Sequence, residues 1–301
     1  MTAAIAPLPF RVGERTVWTA RRRLHRVGLG LGELLAGEPP RLPDRGDAEG
    51  YDLRSWPAAA MDGLIAAHPG LLPLVRQRYA RRFTPLNDAA AYWAGFSPKT
   101  RSTLKRKRAR WEREAGGLDL RAYHRPEQAA EFLELAGALS RLTYQDRLLG
   151  AGLPTGRVAL TELRERAAVG AVRAFILFHQ GRPASYLHLP VERGTAIYAH
   201  LGYDPALAAS SPGTVLHVAV LERLFADPAL RLLDLTEGDG PHKRLFGRGE
   251  VACVDLLLLR RTLRNRALLT GLDAFDRAVA GVGALAERAQ VKPALKRLLR
   301  R

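Results

Sequence analysis

The chain has 301 residues, of which 47% are hydrophobic and 26% charged, a balance that excludes a disordered chain, a collagen-like repeat and a coiled-coil rod. Its single cysteine, Cys253, excludes an intramolecular disulfide and a cysteine metal cluster. The net charge of +17 is unevenly placed, because residues 99–113 carry eight basic side chains and one acidic one, whereas 114–261 carries equal numbers of both. We therefore expect 114–261 to act without a basic surface of its own.

Residues 1–96 are weakly patterned and predict a small α/β unit. Residues 10–18 alternate as a short hairpin, and 38–50 is a loop rich in Pro, Gly and Asp. Residues 64–82 fit a helix interrupted by two prolines. The first ten residues lack a charged segment followed by an apolar run, so we expect no signal peptide and a cytoplasmic location.

A strongly basic helix is predicted over 97–117. Ser97 is a typical N-cap, Pro98 suits the first helical turn, and Gly116 with Gly117 ends the helix. Two interpretations stay open for its basic side chains, namely a solvated face or a surface that contacts phosphate groups.

Residues 118–261 show a definite order of elements. The pattern predicts a strand over 118–123, helices over 126–142 and 160–168, strands over 172–179, 183–191 and 195–201, a helix over 213–225, and strands over 230–235 and 251–259. A short turn is expected between the last two strands. The three strands over 172–179, 183–191 and 195–201 are joined by short turns, so they should be antiparallel.

Residues 262–301 place leucines and other apolar residues at helical spacing among nine basic side chains. This pattern predicts a basic amphipathic helix pair. Its apolar face packs either on the protein's own core or on an anionic membrane, which would place the protein at the inner membrane face.

Three motifs in this order resemble the GNAT acyltransferases. They are the basic helix FSPKTRSTLKRKRARW at 96–111, HLGYDP at 200–205 followed by SPG at 211–213, and DLTEGD at 234–239 followed by HKRLFG at 242–247. The match is closer to the CelD-type branch of cellulose and exopolysaccharide biosynthesis, which is related to the Fem aminoacyl transferases. The resemblance covers 96–260 well and the first 95 residues loosely.

The resemblance implies an α/β (α+β) fold of the GNAT type. Its sheet is mixed and mostly antiparallel, with splayed central strands flanked by helices and with a smaller N-terminal α/β unit beside it. The expected divisions are a degenerate GNAT half over 1–96, the basic helix over 97–117, the acyltransferase domain over 118–261 and the tail over 262–301.

The start of the helix near 213 is the candidate donor site. Free backbone N–H groups and the positive end of a helix favour phosphate, so Ser210, Ser211, Gly213 and Thr214 are candidates to hold the pyrophosphate of coenzyme A. An ordinary serine N-cap is the alternative. The Arg/Gln-x-x-Gly-x-Gly/Ala loop usual in GNAT proteins is absent, which leaves the donor's identity open.

Candidate catalytic residues lie beside this loop. Lys243 is the sole lysine between Lys107 and Lys292, and it either holds a phosphate or an oxyanion or forms a surface ion pair. The candidates for the base or the acceptor anchor cluster at the ends of the two central strands and are Asp204, Asp239, Glu237, His200 and His242. Asp239 is the first choice and Asp204 the second, although both aspartates also suit turns. His188 and His217 are assigned to the core. No metal-ligand spacing is present.

The sequence therefore favours an acyltransferase, N-acetyl transfer first, that moves an acyl group from acetyl-CoA or another acyl-CoA to an amine or hydroxyl of a small-molecule or sugar-linked acceptor. One alternative is a Fem-type enzyme whose donor is an aminoacyl-tRNA held by 99–113. The other is a non-catalytic scaffold of polysaccharide biosynthesis that binds an anionic membrane through 99–113 and 262–301.

Overall fold

A computed structural model describes residues 3–12, 15–37, 41–142, 152–238 and 240–288. The chain forms two compact units. The first comprises Met1–Arg81, Glu237–Asp239 and Val251–Arg301, and the second comprises Arg82–Thr236 and Gly240–Glu250.

The described helices and strands are, in chain order, β1 (Ala4–Val12), β2 (Arg15–Gly28), α1 (Leu31–Leu35), β3 (Gly50–Pro57), α2 (Met61–Ala67), β4 (Leu71–Pro85), α3 (Ala89–Ala94), α4 (Pro98–Ala115), β5 (Asp119–Ala122), α5 (Ala129–Leu142), α6 (Arg157–Ala168), β6 (Val172–His179), β7 (Arg182–Glu192), β8 (Thr195–Ile197), β9 (His200–Tyr203), α7 (Pro212–Phe225), β10 (Leu232–Asp234), α8 (Pro241–Phe246), β11 (Gly249–Arg260) and α9 (Leu263–Arg288). Short 3₁₀ turns at Ala58–Ala60, Pro126–Gln128 and Pro205–Ser210 precede α2, α5 and α7.

In the first unit, β1 and β2 form an antiparallel hairpin, β2 pairs in parallel with β3, and β3 pairs antiparallel with β11. The predicted hairpin is confirmed, with longer strands than expected. The helix predicted over 64–82 is wrong, because α2 ends at Ala67 and β4 follows. Val75, Tyr79 and Phe83 are four residues apart, a spacing that suits a helix and a strand equally, so pairing partners decide the outcome.

In the second unit, strands lie in the order β10, β8, β7, β6, β5, with the end of β4 antiparallel to the other edge of β10. Alternate residues of β6 enter two cores, since Phe175 and Leu177 pack with α4 and α7, whereas Ala174 and Ile176 pack with α5 and α6. Helices thus cover both faces of a mostly antiparallel sheet, which confirms the predicted fold class.

The basic helix α4 has the predicted ends. The Ser97 hydroxyl accepts the Thr100 N–H, and Gly116 closes the helix with a left-handed φ of 81°. Leu104 and Trp111 are buried in the core against α7. Arg108 forms ion pairs with Glu112 and with Glu222 of α7, so part of the basic face is neutralised within the protein.

The central strands of the second unit separate. The single strand predicted over 195–201 is wrong, because it divides into β8 and β9 at Tyr198. β8 runs parallel to β10, and the last bond between these segments is from the Tyr198 N–H to the Asp234 carbonyl, at 2.8 Å. Beyond it, β9 pairs only with β7 among the described strands, so a gap opens beside β10.

The predicted tail is a single helix, α9, as far as the structure describes it, and the predicted second helix lies outside the described residues. Leu268, Leu269 and Leu272 pack against Leu24 and Leu257 of the same unit. This part of the apolar face is therefore covered by the protein's own core. Of the helices in the described residues, none combines the length and the apolar character needed to cross a membrane.

Removing the Leu272 side chain tests that packing. The residue is 0% exposed, so Leu272→Ala should leave a cavity and lower the free energy of unfolding by about 2–5 kcal/mol. Val282 on the same helix is 57% exposed, and Val282→Ala should change this free energy by less than about 0.5 kcal/mol. Denaturant titration measures both, and equal stabilities of the two variants would show that Leu272 does not anchor α9.

Candidate functional site

A cleft of about 290 Å³ lies beside the gap between β9 and β10. Its walls come from the segment after β8, the start of α7 and α8. The lining residues are Tyr198, Leu201, Tyr203, Ala208, Ser211, Pro212, Gly213, Thr214, His217, His242 and Phe246.

The start of α7 forms one wall. Ser211 has a left-handed backbone, with φ 56° and ψ 49°, and its hydroxyl does not cap the helix. Pro212 has no N–H, and the Gly213 N–H has no hydrogen-bond partner among the described residues. A Cβ at Gly213 would lie 3.7 Å from the side chains of Leu201 and Tyr203, and thus inside the cleft. The backbone is therefore open to a ligand at the positive end of a helix.

Three of the four predicted donor-loop residues, Ser211, Gly213 and Thr214, line the cleft. Ser210 is not among the lining residues, and its hydroxyl donates a hydrogen bond to the Glu114 carboxylate of α4. This bond and the one from Arg110 to the Ala209 carbonyl attach α4 to the segment before α7.

Aromatic rings and imidazoles form the inner wall. The ring centroids of His217 and Phe246 are 4.0 Å apart, and Tyr198 lies 5.4 Å from His217 and 5.5 Å from His242. Burial raises the pKa of Tyr198, and its hydroxyl has no hydrogen-bond partner among the described residues. At neutral pH this hydroxyl keeps its proton and can donate it.

His217 is a buried imidazole in the inner wall of the cleft. It is 3% exposed, and neither ring nitrogen has a hydrogen-bond partner within the described part of the chain. Burial, with a smaller effect of His242, lowers the pKa of His217 to about 3. The ring is therefore neutral at pH 7, and a ligand in the cleft could satisfy a nitrogen that the protein leaves without a partner.

His242 is the more accessible imidazole, at the first turn of α8. Burial, and to a smaller degree the charge of Lys243, lowers the pKa of His242 below its ordinary value. The ring is mainly neutral at pH 7 and can accept a proton. It therefore has the position and the protonation state of a general base.

Lys243 follows His242 but is not among the residues that line the cleft. Its ammonium group donates a hydrogen bond to the Thr236 hydroxyl at 3.1 Å. Thr236 has a φ of 62°, and its N–H donates to the buried Asp234 carboxylate at 2.8 Å. These contacts shape the segment that joins β10 to α8.

The other predicted site residues lie elsewhere. The Asp204 carboxylate accepts the Ala206 N–H at 2.9 Å and caps the 3₁₀ turn. His200 is opposite His188 in the β7–β9 pairing, on the strand face opposite Leu201, and their rings are 5.8 Å apart. Asp239 lies outside the described residues, and within those residues no group of three His, Cys, Asp or Glu could hold a metal ion.

Sequence reasoning did not place Tyr198 or His217 in the site. His217 was assigned to the core, and it is indeed buried, but it also faces the cleft. A pattern in the sequence could have found it, because Gly213 and His217 are four residues apart and share one face of α7.

Part of the chain matches a known protein family. Residues 98–244 match the family model of the acetyltransferase (GNAT) domain. The fold is a GNAT fold. The cleft residues from Tyr198 to His242 lie within the matched segment, and Phe246 lies just beyond its end. The comparisons do not confirm the CelD branch.

Solved structures support the fold. FemX superposes with a TM-score of 0.55 at 10% identity, covering 89% of this chain and 90% of that chain. The C-terminal domain of a protein named as a lysylphosphatidylglycerol synthetase from Agrobacterium fabrum gives 0.50 at 13% identity, covering 76% and 73%. A conserved protein of unknown function from Bacteroides thetaiotaomicron gives 0.50 at 14% identity, covering 70% of each chain. No curated protein matches the chain.

Proposed function

We propose that this protein binds an acyl-CoA in the cleft and transfers the acyl group to an amine or hydroxyl of a small-molecule or sugar-linked acceptor. Acetyl is the acyl group that we favour. One observation carries the proposal: the central strands part directly in front of the start of α7, where the Gly213 N–H has no partner among the described residues. An open N–H at a helix N-terminus suits the pyrophosphate of coenzyme A.

The donor's phosphates are held chiefly by backbone and hydroxyl groups. Ser211, Gly213 and Thr214 all line the cleft at the start of α7, where they would supply two hydroxyls and the Gly213 N–H. Gly213 permits close approach because it has no Cβ to occupy the space beside Leu201 and Tyr203. When bound, acyl-CoA supplies the acyl group as an activated thioester.

His242 takes the proton that the attacking amine or hydroxyl loses. Its neutral ring lines the cleft, 5.5 Å in centroid distance from Tyr198. The Tyr198 hydroxyl, which keeps its proton at neutral pH, can return a proton to the departing thiolate. Transfer occurs directly between two bound substrates, so the protein needs no covalent intermediate.

The charged residues predicted from the sequence complete the proposal. Lys243 places a positive charge at the joint between β10 and α8, where it stabilises the oxyanion or a donor phosphate. Asp204 and Asp239 are candidates to anchor the acceptor's amine. His200 lies on the other face of β9, beside His188, so we assign it no part in the transfer.

An aminoacyl-tRNA donor is a second candidate, because part of the α4 surface is suited to nucleic acid. Lys99, Lys105, Arg106 and Arg113 are exposed and have no ion-pair partner among the described residues. The same helix contacts the segment before α7 through Arg110. RNA phosphates bound to α4 could therefore lie beside the donor loop.

We do not propose the membrane scaffold, since the described apolar face of α9 is packed on the protein's own core.

Calorimetric titration of the full chain separates the two donors. The proposal expects saturable binding of acetyl-CoA, followed by thiol release when an acceptor amine is added. Binding of aminoacyl-tRNA that weakens steeply with salt, together with no binding of acyl-CoA, would contradict it and support the second candidate.

A further inference from the structure

We propose that the first unit contains a second ligand site, separate from the donor cleft, that binds a small molecule through a phosphoryl group bearing two or more negative charges. The site is a depression of about 580 Å³, a size within the range of small-molecule pockets. Three arginines line it, namely Arg45, Arg260 and Arg261.

The walls of this pocket are held in place by hydrogen bonds. The hydroxyl of the buried Tyr51 donates to the Pro43 carbonyl at 2.8 Å, and Arg45 donates to the Ala48 carbonyl at 2.7 Å. On the opposite side, the Arg261 N–H donates to the Gly70 carbonyl at 3.1 Å. A ligand therefore meets a pocket that is already formed, which reduces the entropy lost on binding.

The charges in the pocket are not balanced by the protein. Arg260 and Arg261 are exposed and have no ion-pair partner among the described residues. Asp44 is the sole carboxylate among the lining residues, against three guanidinium groups. Other arginines of this unit are paired with carboxylates, for example Arg23, Arg26, Arg54 and Arg76. The lining of the pocket thus holds three guanidinium groups against a single carboxylate.

The start of α9 adds to this positive field. Thr262 lines the pocket, and its hydroxyl accepts the Asn265 N–H at 3.2 Å as the helix begins. The 26-residue helix directs the positive end of its dipole toward the same space. Guanidinium forks and a helix N-terminus together match the oxygens of a phosphoryl group better than they match a single carboxylate.

A matched pair of variants tests the site. Arg260→Ala/Arg261→Ala removes two charges from the pocket, and Arg264→Ala/Arg266→Ala removes two charges from exposed positions on the adjacent α9. All four side chains are exposed, so both variants should fold, which circular dichroism can check. Calorimetric titration of the full chain with inorganic pyrophosphate gives the affinity.

We expect the pocket variant to lose about tenfold or more in pyrophosphate affinity at one site, and the control variant to keep the affinity of the unmodified chain. Equal affinities of the two variants, or tighter binding of citrate than of pyrophosphate, would overturn the proposal. A nucleoside diphosphate that binds more tightly than pyrophosphate would identify the ligand as a nucleotide, and equal binding would identify a simpler phosphoryl compound; both results require the pocket.

The donor cleft is tested separately in the same variants. Acetyl-CoA titrated into them should bind with unchanged affinity, because the proposed donor site lies in the second unit. Loss of the pyrophosphate site with acetyl-CoA binding intact would support both proposals. Absence of acetyl-CoA binding from every variant would count against the proposed acyl transfer alone.

Discussion

Replacing His242 with glutamine is expected to lower kcat/KM for acyl transfer by about 10²–10⁴-fold, the range for losing a positioned general base. Glutamine keeps a polar side chain of similar length but cannot take the proton from the attacking amine. Because burial lowers the pKa of His242, kcat/KM of the unmodified enzyme should stay level near neutral pH and fall only on the acid side of about pH 6.5.

The pH profile of the variant is the sharper readout. In His242→Gln, the acid limb that belongs to this imidazole should disappear, leaving a low and flatter profile. His179 packs on Trp111 and is not among the cleft residues, so His179→Gln serves as the matched control and should keep the normal profile. A His242→Gln enzyme with unchanged rate and profile would exclude His242 as the base.

Replacing Lys243 with alanine is expected to reduce kcat by about 10–1000-fold, the loss typical of one well-placed electrostatic donor. The reason is the positive charge that Lys243 places beside the parted strands, where its ammonium group is held by the Thr236 hydroxyl. Steady-state kinetics with acetyl-CoA measure the effect. Lys99→Ala is the matched control, because it removes one positive charge from an exposed lysine at the start of α4.

Thr236→Val separates the two ways in which Lys243 could act. If the ammonium acts on the reacting groups, this variant keeps most of its activity, because the charge remains. If Lys243 acts by ordering the joint between β10 and α8, both variants should lose activity to a similar extent. Normal turnover in Lys243→Ala would return this lysine to an ordinary surface role.

Much of the fold could be predicted because its decisive interactions are local. The ends of α4 follow from the Ser97 cap, the proline after it and the Gly116 backbone, all within a few residues of the helix. The strand β4 could not be assigned in this way. Its four-residue spacing allows two structures, and distant strands decide between them.

The site was predictable in part for the same reason. The start of α7 is visible in Ser211 and Gly213, since a helix N-terminus depends on neighbouring residues. The break at Tyr198 depends on β8 pairing with β10 while β9 pairs with β7, which are non-local choices. His242 could be placed near the site from its position after the second of the two strands, whereas the part of the cleft that Tyr198 forms was not accessible to sequence reasoning.

The most direct test of the account is the affinity for acetyl-CoA of Gly213→Ala and Gly213→Val, measured by calorimetry against the unmodified chain. A Cβ at this position makes ordinary contacts with Leu201 and Tyr203, so both variants should fold, while the added atoms enter the space proposed for the pyrophosphate. The affinity for acetyl-CoA should fall in two steps, from the unmodified chain to Gly213→Ala and from Gly213→Ala to Gly213→Val. The thermal stability should change little. Unchanged affinity in Gly213→Val would contradict it, because the donor would then bind elsewhere than at the start of α7.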